Sequence, residues 1–251
     1  MNKTLQNFIT GFLLTLLLTV SGLVLMDGRA AAEDWFLEEL YEIELDGVER
    51  LYFDIEGAEI FFEEDLENIY ISDELEFDIR GGRIRVYTPK KRIFNFFGNR
   101  NHKIVLGTKN KFSLINIDAG GLALSGVLHV DDIRINAGGI DIDGEYYCKE
   151  MTINGAGIDI YGLLRGEQLE INGAGIDIEL DVIGLEKISI NGAGLDIYLK
   201  YLDGWTGTRH ISANAVGGDI VILVPEDNKL EEDGQLEIDK GGFIDVRVRY
   251  Y

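Results

Sequence analysis

The chain of 251 residues is short of several residue types, and each shortage narrows what it can be. One cysteine, Cys148, rules out an intramolecular disulfide and any paired-cysteine motif, so core packing and backbone pairing must hold the fold. Two prolines against 31 glycines fit tight strand corners better than disorder. The three histidines (His102, His129 and His210) fall at unrelated positions. No Gly-x-Ser-x-Gly elbow, phosphate loop or His-Glu-x-x-His accompanies them, so catalysis has no motif to rest on. Bases are scarce as well: 23 Lys and Arg face 45 Asp and Glu, a net charge of −22. The positive footprint that nucleic acid or anionic lipid requires is missing.

What the chain has instead is a phrase that returns. Ile135-Asn136-Ala137-Gly138-Gly139-Ile140-Asp141-Ile142 recurs at 153–160, 171–178 and 190–197, with worn copies from Ile117 and Ala213. The first residues lie 18, 18, 18, 19 and 23 apart. A fixed period near 20 marks a repeat architecture, and it is too short for helix pairs, which need roughly 33 residues or more. Alternation in Ile158-Asp159-Ile160 has the period of a strand with one buried face. Glycine twice in every unit opposes a helix, at about 1 kcal/mol each.

The expected fold is all-β: a single-stranded parallel β-helix (β-solenoid) with about 18–20 residues per coil. Ile153, Ile171 and Ile190 should form one internal ladder, and Ile160, Ile178 and Ile197 another. Asn154, Asn172 and Asn191 should form an amide ladder. The Gly155-Ala156-Gly157 middle reads as a corner, where glycine permits positive φ or close approach. The spacing of 23 predicts a loop insertion near residues 204–207. Divergent coils extend the solenoid over 48–251, with regular repeats at 115–224.

Residues 1–32 read as a hydrophobic helix that is either a signal peptide or a single-pass membrane anchor. Lys3 precedes an uncharged run from Phe8 to Met26, then Ala30-Ala31-Ala32 and an acidic start at Glu33. Either reading places the rest outside the cytoplasm and restricts membrane contact to the N-terminal segment. Residues 33–47 are a linker and N-terminal cap. Charge is uneven beyond it: residues 33–89 hold 19 acids and 4 bases.

Two constellations stand out. Asp141, Asp159, Asp177, Asp196 and Asp219 would form an outward acidic ladder. Oxygen ligands of this kind suit Ca²⁺; the competing reading has each aspartate capping its glycine turn. No other cofactor is expected. The stretch from Lys90 to Lys111 (Lys90, Lys91, Arg92, Arg100, Lys103, Lys109, Lys111) carries seven bases, no acid and three phenylalanines. It could hold an anionic ligand, or form a long loop whose bases pair with nearby acids.

Repeated Ile-Asn-Gly-Ala-Gly-Ile-Asp-Ile phrases behind an N-terminal hydrophobic segment resemble the bacterial putative-adhesin family of unknown function. The resemblance covers roughly residues 48 to 250. The copies here place Ile158 between Gly157 and Asp159, where the family sets Gly beside Asp; Gly218-Asp219-Ile220 keeps the family form. The resemblance implies a non-enzymatic, envelope-associated β-solenoid that binds a cell-surface, cell-wall or protein partner, linked to envelope stress. It supplies no catalytic residues. The alternatives are a polymer-forming scaffold resembling bactofilins and, less favoured, a carbohydrate-active β-helix enzyme.

Overall fold

A computed structural model describes residues 37, 39–89, 102–205, 207–226 and 234–251. Two compact units divide the chain. The first, Met1–Tyr41, is described only at Leu37 and 39–41, where the Leu40 amide donates to the Leu37 carbonyl at 3.1 Å. The expected N-terminal hydrophobic helix lies outside the described residues. Among the described residues no helix is long and apolar enough to cross a membrane.

The second unit, Glu42–Tyr251, is all-β. Its strands are β1 (Tyr41–Ile43, its first residue belonging to the other unit), β2 (Arg50–Glu63), β3 (Ile69–Ile71), β4 (Glu76–Arg80), β5 (Arg83–Tyr87) and β6 (His102–Gly107). The repeat region supplies β7 (Phe112–Tyr147), β8 (Glu150–Arg165), β9 (Gln168–Asn172), β10 (Gly175–Ile183), β11 (Lys187–Tyr201) and β12 (Gly207–Val224). The last strand is β13 (Gly234–Tyr250).

Parallel pairing joins the repeat copies in sequence order. Ile153 lies beside Ile171 and Ile171 beside Ile190; Ile160 lies beside Ile178 and Ile178 beside Ile197. Both expected isoleucine rows are therefore present, and each member is at most 2% exposed. Burying such a side chain contributes roughly 1.5–3 kcal/mol. The asparagines also stack. Nδ2 of Asn191, Asn172 and Asn154 each donates to the Oδ1 of the asparagine one copy earlier, at 2.9–3.0 Å.

The glycines divide the work differently from the expected corner. Gly155 and Gly157 do not have positive φ. The left-handed positions fall a few residues after the phrase, at Gly126, Gly144 and Gly162, and inside it in the worn copy from Ala213, at Gly218. A Cβ on Gly162 would stand 2.0 Å from the Gly144 carbonyl oxygen, and one on Gly144 2.2 Å from that of Gly126. Only glycine allows backbones to approach so closely. Inside the phrase the constraint is a side chain: a Cβ on Gly173 would meet Ile158 Cδ1 at 2.8 Å.

The insertion falls where the spacing of 23 put it. Trp205 is buried there against Tyr201, with ring centroids 4.9 Å apart, and the Arg209 guanidinium lies 5.7 Å from its ring.

The two ends of the stack differ. At the N-terminal side, the second half of β2 pairs with β6, which is covered by antiparallel β3; the first half pairs with β5, which is covered by antiparallel β4. Short antiparallel strands thus close that edge. At the other side β13 pairs with β12, and among the described residues nothing pairs with its far edge. Its inward Leu236, Ile238, Val246 and Val248 are only partly buried, whereas Ile211, Ile220 and Ile222 one copy earlier are at most 1% exposed.

Candidate functional site

A polar cleft lies in the acidic N-terminal region. Gly81 and Gly82, with φ of +57° and +71°, close the β4–β5 hairpin as the two left-handed residues of a tight turn. Strand β5 then pairs with β2, setting Arg85 beside Tyr52 and Tyr87 beside Asp54. Strand β2 pairs with β7 on its other edge, setting Tyr52 beside Asn116 and Asp54 beside Asp118. Alternate residues on paired strands share a face. Asp78, Arg85, Tyr52 and Asn116 therefore form one row across four strands. Asp54 and Asp118 flank it on one side, Arg80 and Arg83 on the other. The cleft they line has a volume of about 380 Å³.

Most of its charges are already matched. Arg85 pairs with Asp54, and Arg80 Nε with Asp78 Oδ1 at 3.0 Å. The Arg85 guanidinium also lies 5.6 Å from the Tyr87 ring. Asp118 accepts Nδ2 of Asn116 and of Asn136, each at 2.9 Å. Two donors remain. Among the described residues the Arg83 guanidinium has no acid within pairing distance, and the Tyr52 hydroxyl has no partner. Three of the four bases in residues 33–89 meet in this cleft. Reading the sequence missed it, although Gly81-Gly82 between alternating strands is a strong hairpin signal.

The aspartate ladder forms as a row. Asp141, Asp159, Asp177, Asp196 and Asp219 lie in successive register, and Asp245 extends them. They do not cap the glycine turns. Strand alternation turns them to solvent, and Asp141, Asp159, Asp177 and Asp196 accept no hydrogen bond among the described residues. Arg247 neutralises the far end, pairing with Asp219 at 2.5 Å and Asp245 at 3.0 Å. Among the described residues no three acidic, histidine or cysteine side chains converge on one point to hold a metal ion. The next row carries Asp143, Tyr161, Glu179 and Tyr198. The Tyr161 hydroxyl is held above its ordinary range, chiefly by Asp177 and also by Asp159 and Asp141.

The basic stretch is not one loop. Lys90, Lys91, Arg92 and Arg100 lie outside the described residues. From His102 the chain is strand β6, with a largely buried face. His102 itself is buried, its Nδ1 3.7 Å from Glu74 Oε2. Lys103 is exposed on that strand, Lys109 pairs with Glu67 at 3.2 Å, and Lys111 is exposed.

Comparison with known proteins adds the fold. No family model and no curated protein matches the chain. A crystal structure of a putative adhesin from Bacteroides fragilis matches with a TM-score of 0.53 at 15% identity, over 84% of this chain and 96% of that one. A putative lipid binding protein from Parabacteroides distasonis (TM-score 0.42, 16% identity) covers 85% and 96%, and a putative cell adhesion protein from Clostridium sporogenes (0.27, 12%) covers 85% and 98%. At such identities the first match speaks for a shared fold, and the other two carry no further weight.

Proposed function

We propose that the protein is an exported, envelope-associated binding module of the adhesin kind, without enzymatic activity. Its scaffold is a single-stranded parallel β-helix. Like residues pairing 18 or 19 apart along β7–β11 support that reading. The uncharged run from Phe8 to Met26 either anchors it in the membrane or directs its secretion.

The observation that carries the binding role is the cleft beside Tyr52. The repeat rows present one chemistry copy after copy, as a scaffold does. The cleft lies where the antiparallel hairpin interrupts the pattern, and it joins side-chain donors and acceptors in one concave place. An end-to-end polymer fits less well, because one edge is closed by antiparallel strands and the other is open.

The test is retention of the full chain, in detergent, on purified cell-wall polysaccharide and on a glycan array. Saturable binding to at least one surface is the expected result. No binding to any envelope fraction would sink the reading. Protease shaving of intact cells should remove residues 42–251; complete protection would exclude a surface location.

A further inference from the structure

We infer that the cleft between the β4–β5 hairpin and strands β2 and β7 binds an acidic saccharide, a hydroxyl-rich ring bearing one carboxylate. This names the ligand class for the binding reading above and rests on it.

The carboxylates of the cleft are occupied: Asp54 by Arg85, Asp78 by Arg80, and Asp118 by two asparagine amides. Arg83 and the Tyr52 hydroxyl are left without a protein partner among the described residues, and both can donate. A ligand that completes the cleft must bring acceptors. The guanidinium fork matches a planar carboxylate with two parallel hydrogen bonds. Asp54 and Asp118 retain lone pairs, and the Asn116 carbonyl oxygen is a further acceptor, so the same ligand should also carry hydroxyl donors.

Size and position narrow the class. A volume of about 380 Å³ lies at the lower end of small-ligand sites, roughly 300–1,000 Å³, and suits one or two sugar rings. Strands β5 and β2, which floor the cleft, are paired on both sides, so an extended peptide would find a free main-chain edge only at the outer side of β4, away from Arg83 and Tyr52. The net charge of −22 works against densely charged polyanions, which leaves a ligand with a single carboxylate at the contact.

Titration of the full chain with D-glucuronate, D-glucose, inorganic phosphate and a tripeptide with a free C-terminal carboxylate, followed by calorimetry, tests this. Glucuronate should bind at least about tenfold more tightly than glucose, phosphate or the tripeptide. Arg83→Gln, at an exposed hairpin position, should weaken glucuronate at least about tenfold while leaving the circular dichroism spectrum unchanged. Tyr52→Phe, which deletes only a hydroxyl, should weaken it less. Equal binding of glucose, tighter binding of phosphate or tripeptide, or a folded Arg83→Gln protein that binds glucuronate as before would each overturn the assignment. If Arg83→Gln still binds envelope polysaccharide undiminished, the cleft assignment falls and the binding module stands. If the wild-type chain binds no surface at all, both fall.

Discussion

Asn136 donates its Nδ2 to Asp118 Oδ1 at 2.9 Å, and with that bond the stack of side-chain amides ends on a carboxylate. Each later asparagine donates to an amide oxygen one copy earlier, so the ladder runs one way, from Asn191 to Asp118. Asn116 approaches the same carboxylate from the other side, at 2.9 Å. The repeat thus meets the cleft region at a residue that serves both.

A middle rung should matter more than an end. Asn172 donates to Asn154 and to Glu170 and accepts from Asn191. Asn172→Ala removes all three bonds and should cost about 1–3 kcal/mol, whereas Asn116→Ala, losing one exposed bond, should cost under about 1 kcal/mol. Urea midpoints of the two variants check the order.

Glycine should be irreplaceable at Gly162 and replaceable at Gly157. The first has φ of +123° and the Gly144 carbonyl oxygen where a Cβ would go; the second opens on free space. Gly162→Ala should destabilise by several kcal/mol or abolish folding, while Gly157→Ala should stay within about 0.5 kcal/mol. Soluble yield and thermal midpoints distinguish them.

Alkali should weaken the fold in a defined window. Burial, reinforced by Asp132, pushes the Cys148 thiol from its ordinary 9.0 up to about 12. Burial also raises the Tyr146 and Tyr201 hydroxyls. A raised folded-state value means a contribution fully present below the unfolded value and lost as pH climbs through the folded one. Stability should therefore fall from about pH 9 to pH 12. Native Cys148 should resist thiol reagents at pH 8 and react on unfolding. Tyr146 Oη is buried without a partner among the described residues, so Tyr146→Phe should be neutral or stabilising. Denaturation curves of the wild type and of Tyr146→Phe at several pH values test the stability statements, and thiol labelling with and without denaturant tests that on Cys148.

The open strand β13 carries a guard. Lys240 stands in register with Ala213, in the row that isoleucines fill at 153, 171 and 190. A charge at an inward position discourages another chain from pairing with an edge. Lys240→Ile should promote association of the full chain with rising concentration, read by analytical ultracentrifugation. A variant that sediments like the wild type would remove that role from Lys240.

The readable parts of the sequence were those that repeat. Ile171 and Asn172 recur at a fixed spacing, so their neighbours in space are their own copies, and both ladders could be written down from the period. The aspartate row followed for the same reason, but its role did not, because spacing cannot say whether a carboxylate turns toward a backbone amide or toward water. The left-handed glycines also escaped: Gly162 has Leu180 beside it in the next copy and so does not repeat throughout. The cleft was the least legible. It brings together Arg83, Tyr52 and Asn116 through pairings of β5 with β2 and β2 with β7, which no local pattern encodes.

The aspartate row has a collective consequence. Successive carboxylates stand about one strand spacing apart, ~4.8 Å. In water two unit charges interact with the thermal energy at roughly 7 Å, so the row is denser than that distance. From Asp141 to Asp196, where Arg247 no longer reaches, it behaves as a short linear polyelectrolyte. Cations of any kind are drawn to it as a diffuse sheath that exchanges with the bulk, and added salt screens the row. The stripe is thus a reservoir of loosely held counter-ions, one that lengthens by a fixed increment with every copy of the repeat.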